Sequence, residues 1–247
     1  MARPAFRAAP GVISHPRIIA MFSRFLTSAL FAGASAGLLT GLLQLYFVQP
    51  VLLHAELYET GALVHFGADP VSAHPDLPGF DAVRDGLSLI FTMLTYTAYA
   101  LILLAAMSLG EERGAVIDGR WGILWGVAGF VAFHLAPGFS LAPEVPGVAA
   151  ADITARQIWW FATAAAALVA LWLLAFGKGW GAWIGAAVLL MAPHIIGAPE
   201  PESFSGPVPT EIGALFAARA LGIGLAAWVL LGSFAGFFWQ REGAQSA

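Results

Sequence analysis

The sequence predicts an all-α integral membrane protein: a six-helix transmembrane bundle with both termini cytoplasmic. Three observations lead there. Only 11% of the 247 residues are charged and 59% are hydrophobic, whereas a soluble domain carries about 25% charge. Mean hydropathy is +0.79. Several stretches of roughly 20 residues lack Asp, Glu and Lys entirely, the length a helix needs to cross about 30 Å of hydrocarbon. These runs are continuous and rich in Ala, Leu and Gly, unlike the short alternating segments of a transmembrane barrel.

Composition also excludes several function classes. There is no cysteine, so disulfides, thiolate metal sites and Fe–S clusters are out of reach. An isoelectric point near 5.8 and a single lysine argue against nucleic-acid binding. No GxxxxGK[ST] phosphate loop occurs, so the chain has no P-loop with which to hydrolyse ATP.

Residues 1–20, "MARPAFRAAPGVISHPRIIA", contain Pro4, Pro10 and Pro16 and lack the apolar core of a signal peptide. They read as a flexible extension in which His15 is an unstructured bystander. Met21 opens "MFSRFLTSALFAGASAG", a natural beginning for a polytopic membrane domain over 21–247; a start codon assigned too far upstream is the competing explanation. The predicted spans are 22–48, 86–109, 121–139, 156–176, 180–197 and 211–239. The fifth is short and Gly-rich, which keeps a five-span model in play.

Positive charge decides between them. With six spans, Arg3, Arg7, Arg17, Arg24, Arg113, Arg120, Lys178 and Arg241 are cytoplasmic, while Arg84 and Arg156 are outside and Arg219 lies within the last helix. Omitting the fifth span would strand Arg241 outside. The same orientation places Glu56, Glu59, Asp69, Asp76, Asp81, Asp85, Glu144, Asp152, Glu200, Glu202 and Glu211 on the outer side. The histidines follow the acids. His54, His65 and His74 fall in the first outer loop, "QPVLLHAELYETGALVHFGADPVSAHP" (49–75), and His134 and His194 near the outer ends of spans three and five. Such a face concentrates cations.

Spans three and five end alike, in "FHLAPGFSLAPEVPG" (133–147) and "PHIIGAPEPESFSGPVP" (193–209), each with a His near a Pro and then A-P-E. Span one ends "VQPVLLHAE" (48–56), with the same residue types in another spacing. Arg84, Arg156 and Arg219 stand at or near the starts of the following helices. Three parallel helical hairpins would give this echo; so would chance similarity among Pro-rich loops.

Neutral imidazole and carboxylate oxygen together suit Co²⁺, Ni²⁺ and Zn²⁺, and the scattered Met93, Met107 and Met191 do not suggest a copper(I) site. His54, Glu56, His65, His74, His134 and His194 are therefore the candidate metal residues. His54 and Glu56 share a side if the segment is extended and diverge if it is helical; the loop histidines could equally be solvated. His134 and His194, titratable groups within spans beside Pro137 and Pro193, mark either a pathway or a helix–helix contact. Arg219 is expected to pair with an outer carboxylate or to snorkel. Gly33/Gly37/Gly41, Gly181/Gly185 and Gly232/Gly236 predict close helix packing, and Trp159, Trp160, Trp180 and Trp183 predict interfacial anchors.

The blocks "QPVLLHAELYE" (49–59), "DGLSLIFTMLTYTAYALIL" (85–103), "WGVAGFVAFHLAPGFSLAPEVPG" (125–147), "ARQIWWFATA" (155–164) and "APHIIGAPEP" (192–201), in this order, resemble the CbtA family of predicted cobalt transporter subunits. The resemblance runs from Met21 to about residue 240. It implies a multi-pass protein of the prokaryotic inner membrane, not an enzyme. It also implies a role in cobalt uptake for cobalamin supply beside a small, single-span, histidine-bearing partner, CbtB. It brings no catalytic motif and no ligand set.

The expected mechanism is uptake of a divalent metal, Co²⁺ or Ni²⁺, as substrate, with no permanently bound cofactor. Acidic loops would gather the ion, the loop histidines would strip hydration waters, and His134 and His194 would pass it inward through a weak, multi-site ligand set. Uptake should then fall below about pH 6, where imidazole protonates. The alternatives are a non-transporting scaffold for a separate permease and a haem protein with His134 and His194 as axial ligands.

Overall fold

A computed structural model describes residues 15–65, 67 and 71–245, with side chains for those between Met21 and Ala244. Residues 1–14 of the expected extension, and Asp69, lie outside the described residues. The chain is helical: α1 His15–Phe47, α2 Gln49–Glu59, α3 Ala82–Glu111, α4 Gly122–Ser140, α5 Ile153–Phe176, α6 Gly179–Ile196 and α7 Thr210–Gln245. Six of these are long and apolar enough to cross a membrane; α2 is not. His15 opens α1 and so is not unstructured, and the expected extension gives way to helix before Met21.

Local chemistry sets the boundaries. Asp81 caps α3 by accepting from the Val83 and Arg84 amides at 2.9 and 2.8 Å, and Asp152 caps α5 by accepting from the Ala155 amide at 2.9 Å. These caps satisfy amides that a helix start leaves without partners. The turn between α5 and α6 is two residues long, and Gly179, the first residue of α6, takes a φ of +74°, open to glycine at little cost. Pro137 cannot donate to the Phe133 carbonyl, and just before it α4 opens into a single π turn over Val131–Leu135.

Packing follows the small residues. A Cβ on Gly37 would stand 2.5 Å from the Cα of Met93, and one on Gly33 would strike the Cα of Thr97, so α1 and α3 touch backbone to backbone. A second seam joins α4 to α7: Gly122 lies against the Gly232 carbonyl, Gly126 against the Trp228 carbonyl and Gly236 against the Asp118 carbonyl. The expectation for Gly33, Gly37, Gly232 and Gly236 is met. Gly181 differs, because nothing lies within 4 Å of where its Cβ would be.

The main core unites α1, α3, α4 and α7 around Leu104, Met107, Trp228 and Leu231. At one end Arg24 stacks 3.9 Å above the Trp239 ring and donates to its carbonyl, while the Trp239 indole donates to Glu111 at 3.1 Å. That cluster ties α1, α3 and α7. The hairpin of α5 and α6 leans on this core from one side, and α6 packs on α5 rather than on α7. Consecutive spans therefore do not form three equivalent packed hairpins: α1 pairs with α3, but α4 pairs chiefly with α7.

At the opposite end the connections 48–81, 141–152 and 197–209 meet in a second, smaller core. Val51, Ala55 and Tyr58 of α2 pack there on Val145, Val208 and Ile212. The Ala149 amide donates to the Ser205 carbonyl at 2.9 Å, stitching two of the connections together.

Candidate functional site

All five histidines after His15 lie toward this capped end. His54 sits on α2, a helix because Pro50 fits its first turn and an apolar stripe of Val51, Ala55 and Tyr58 faces the cap core. Helical geometry turns His54 and Glu56 about 200° apart, so "HAE" is not a paired ligand set here. Glu56 instead lies within electrostatic reach of Arg84.

The Tyr58 ring stands between two imidazoles, with its centroid 5.5 Å from that of His54 and 6.4 Å from that of His65. His74 lies near enough to act electrostatically on His54, and its amide donates to the Ser72 hydroxyl at 3.1 Å. Burial first, and the nearby His74 second, hold the His54 pKa below its ordinary 6.5. Its Nε2 is buried and has no hydrogen-bond partner among the described residues. A neutral imidazole with its proton on Nδ1, and so a lone pair on Nε2, is the form that accepts a divalent cation there. Among the described residues, however, no three His, Asp or Glu side chains converge into a chelating group.

His134 lies in the π turn of α4 and is clasped by α7. The Trp228 indole donates to His134 Nδ1 at 3.0 Å, and Gly224 leaves room for the ring, since a Cβ there would stand 2.9 Å from His134 Cδ2. An indole N–H only donates, so Nδ1 accepts and the proton of the neutral ring sits on Nε2. The sequence offered no sign of this partner, which stands 94 residues away.

His194 binds differently. Its Nδ1 lies 2.8 Å from the Ser140 hydroxyl at the end of α4, and its ring meets Phe139 and Trp159 edge-on. A hydroxyl can accept or donate, so either tautomer is available and Nε2 can carry a lone pair. Trp159 is buried and donates to the Pro193 carbonyl at 3.3 Å, so it is packed rather than anchoring in the interface. Trp180 and Trp183 are exposed at the start of α6, as anchors would be.

The three arginines of the sequence echo have three different partners. Arg84 pairs with Asp85 at 2.7 Å and Arg156 with Glu144 at 2.7 Å. Arg219 donates to the Phe47 carbonyl at 2.8 Å, not to a carboxylate. That carbonyl is free because the Val51 amide turns to Val48 at the break between α1 and α2. Asp85, buried at the head of α3, accepts from Gln49, from Arg84 and from the Asp81 amide, so both of its oxygens are engaged.

A family model described as a probable cobalt transporter subunit (CbtA) matches residues 22–240, most of the chain. The chain belongs to the CbtA family. This is a transporter-subunit family, not an enzyme family, and six apolar helices agree with a multi-pass membrane member of it. No curated protein and no solved structure matches the chain. The family membership makes cobalt the probable cargo. It leaves the roles of the histidines to be argued from their surroundings.

Proposed function

We propose that this CbtA-family member is the membrane subunit of an uptake system for a divalent transition metal, cobalt first and nickel as its chemical neighbour. It resides in a prokaryotic inner membrane with both termini cytoplasmic, the capped end outside, and a small single-span histidine-bearing CbtB-like protein beside it. The excess of Arg and Lys at the opposite end supports this orientation. The observation that carries the capture site is the buried, unpartnered Nε2 of His54.

In this reading the acidic loops raise the local cation concentration, the exposed His65 and His74 make first contact, and His54 lies behind them as the next donor. His194 follows, its orientation set by Ser140. His134 takes part only if its ring proton moves to Nδ1 and the Trp228 bond gives way. Weak, successive contacts fit a path that must release its ion.

Radioactive cobalt uptake in cells lacking other importers tests this. His54→Ala should lose most uptake, His194→Ala a smaller share and His134→Ala the least. Wild-type uptake by all three would refute the capture site. The pH dependence has a defined sign. Neutral imidazole binds metal and imidazolium does not, and the His54 pKa is depressed below 6.5. Flux should therefore hold as the pH falls from about 7.5 to 6.5 and drop only as it passes through the depressed value.

A second reading, a non-transporting scaffold for a separate permease, draws support from the absence of a converged chelating group among the described residues. Cobalt flux through liposomes containing this chain alone would reject it. A Soret band in the purified protein would instead favour haem on His134 and His194.

A further inference from the structure

An apolar groove of about 270 Å³ runs along the membrane-spanning region between α3, α4 and α5. Its floor is made of small residues, Ala128 and Gly129, with the Trp228 ring at the mid-span end. Trp125, Trp172 and Phe176 wall the other end, near the 112–121 connection. Gly110 permits this aromatic cluster, since a Cβ there would meet the Trp125 ring at 2.6 Å.

A cation marks the same end. The Arg113 guanidinium lies 4.8 Å over the Trp172 ring. Among the described residues its one hydrogen bond, from Nη1 to the Leu109 carbonyl, is long at 3.5 Å. The side chain is otherwise exposed, so most of its five N–H donors point to solvent. Arg120 and Lys178 lie in connections at this end as well. Glu111, the nearest acid on α3, is drawn away to Trp239; Glu112 is exposed.

We propose that the groove and Arg113 form a site for one anionic phospholipid, an acyl chain lying over Ala128 and Gly129 and the phosphate resting on the guanidinium. The size of the groove selects the occupant. A crossing helix is 10–12 Å wide and about 30 Å long, far too bulky for this space, whereas a single hydrocarbon chain is not. Charge selects the headgroup: a basic group beside an apolar cleft between spans favours net-negative lipid, and Arg matches phosphate oxygens two at a time. The site depends neither on the cargo nor on the direction of transport.

Native mass spectrometry of the full chain in detergent, titrated with phosphatidylglycerol or phosphatidylcholine of identical acyl chains, tests this. One phosphatidylglycerol should bind to saturation at least tenfold more tightly than phosphatidylcholine. Arg113→Gln, a surface change, should erase that preference, and Arg113→Lys should keep part of it. Ala128→Phe, which fills the floor, should remove the saturable site for both lipids. Equal binding of the two lipids by the wild type overturns the proposal, as does a preference that survives Arg113→Gln. A ladder of many weakly bound lipids with no saturable first site also overturns it, because that is an ordinary lipid annulus.

Discussion

Two parts of this bundle are built on opposite packing rules. In α1, α3, α4 and α7, glycines bring backbone against backbone, and 44% of the apolar stretch of α1 is buried. In α6 the corresponding share is 6%. The glycines there, Gly181 and Gly185, meet either nothing or one leucine methyl at 3.6 Å. Lipid is as apolar as leucine, so helix association in a membrane depends on close contact and hydrogen bonds. The four-helix core has both. The α5–α6 hairpin is held to α4 mainly by side chains, among them His194 on Ser140 and Trp160 on Phe133. The tight part is joined backbone to backbone, and the hairpin is joined to it through side chains.

The contrast can be broken at its strong point. Gly126→Leu would drive a side chain into the Trp228 carbonyl and should cost about 3 kcal/mol or more, since backbone cannot step aside as a side-chain end can. Loss of the folded fraction on mild heating in detergent would register it. Trp228→Phe keeps the ring in the core but removes the donor to His134; a loss of about 1 kcal/mol is expected in the same assay. Ser140→Ala should cost less than about 1 kcal/mol globally while raising hydrogen exchange in α6 and leaving α1 unchanged. Gly181→Ala is the sharpest control. With open space around it, the change should be neutral or stabilise by up to about 1 kcal/mol through helix propensity. Destabilisation there would show that α6 has a close partner after all.

The spans were legible from sequence because hydrocarbon thickness imposes a length that composition reveals directly. Each predicted span overlaps its helix, and the doubtful fifth is present as α6. The α1–α3 seam was legible as well, in the repeated spacing of Gly33, Gly37 and Gly41. The other half of the α4–α7 seam, Gly122 and Gly126, carries the same four-residue spacing. Pairings were not legible, because which stripe meets which depends on contacts across the whole chain. The site shows the same limit. That the histidines cluster toward one end is a matter of topology and could be read. That Trp228 occupies His134 while His54 keeps a vacant nitrogen is set by partners distant in sequence or by helical phase. The divergence of His54 and Glu56 turned on whether 49–59 is helix or strand, which a short amphipathic run leaves open.

Both ends of α1 are latched to α7. Near one end Arg24 takes the Trp239 carbonyl; at the other the Phe47 carbonyl takes Arg219. Chains are made from the amino end, so the first helix to leave the ribosome waits for the last before either clasp can close. Until then α1 is held by α3, through the glycine seam and the Thr92 hydroxyl donating to Gln44 at 3.1 Å. Assembly is thus bounded by completion of synthesis, and a chain truncated before Arg219 should be cleared by membrane proteases even though its first five spans are intact.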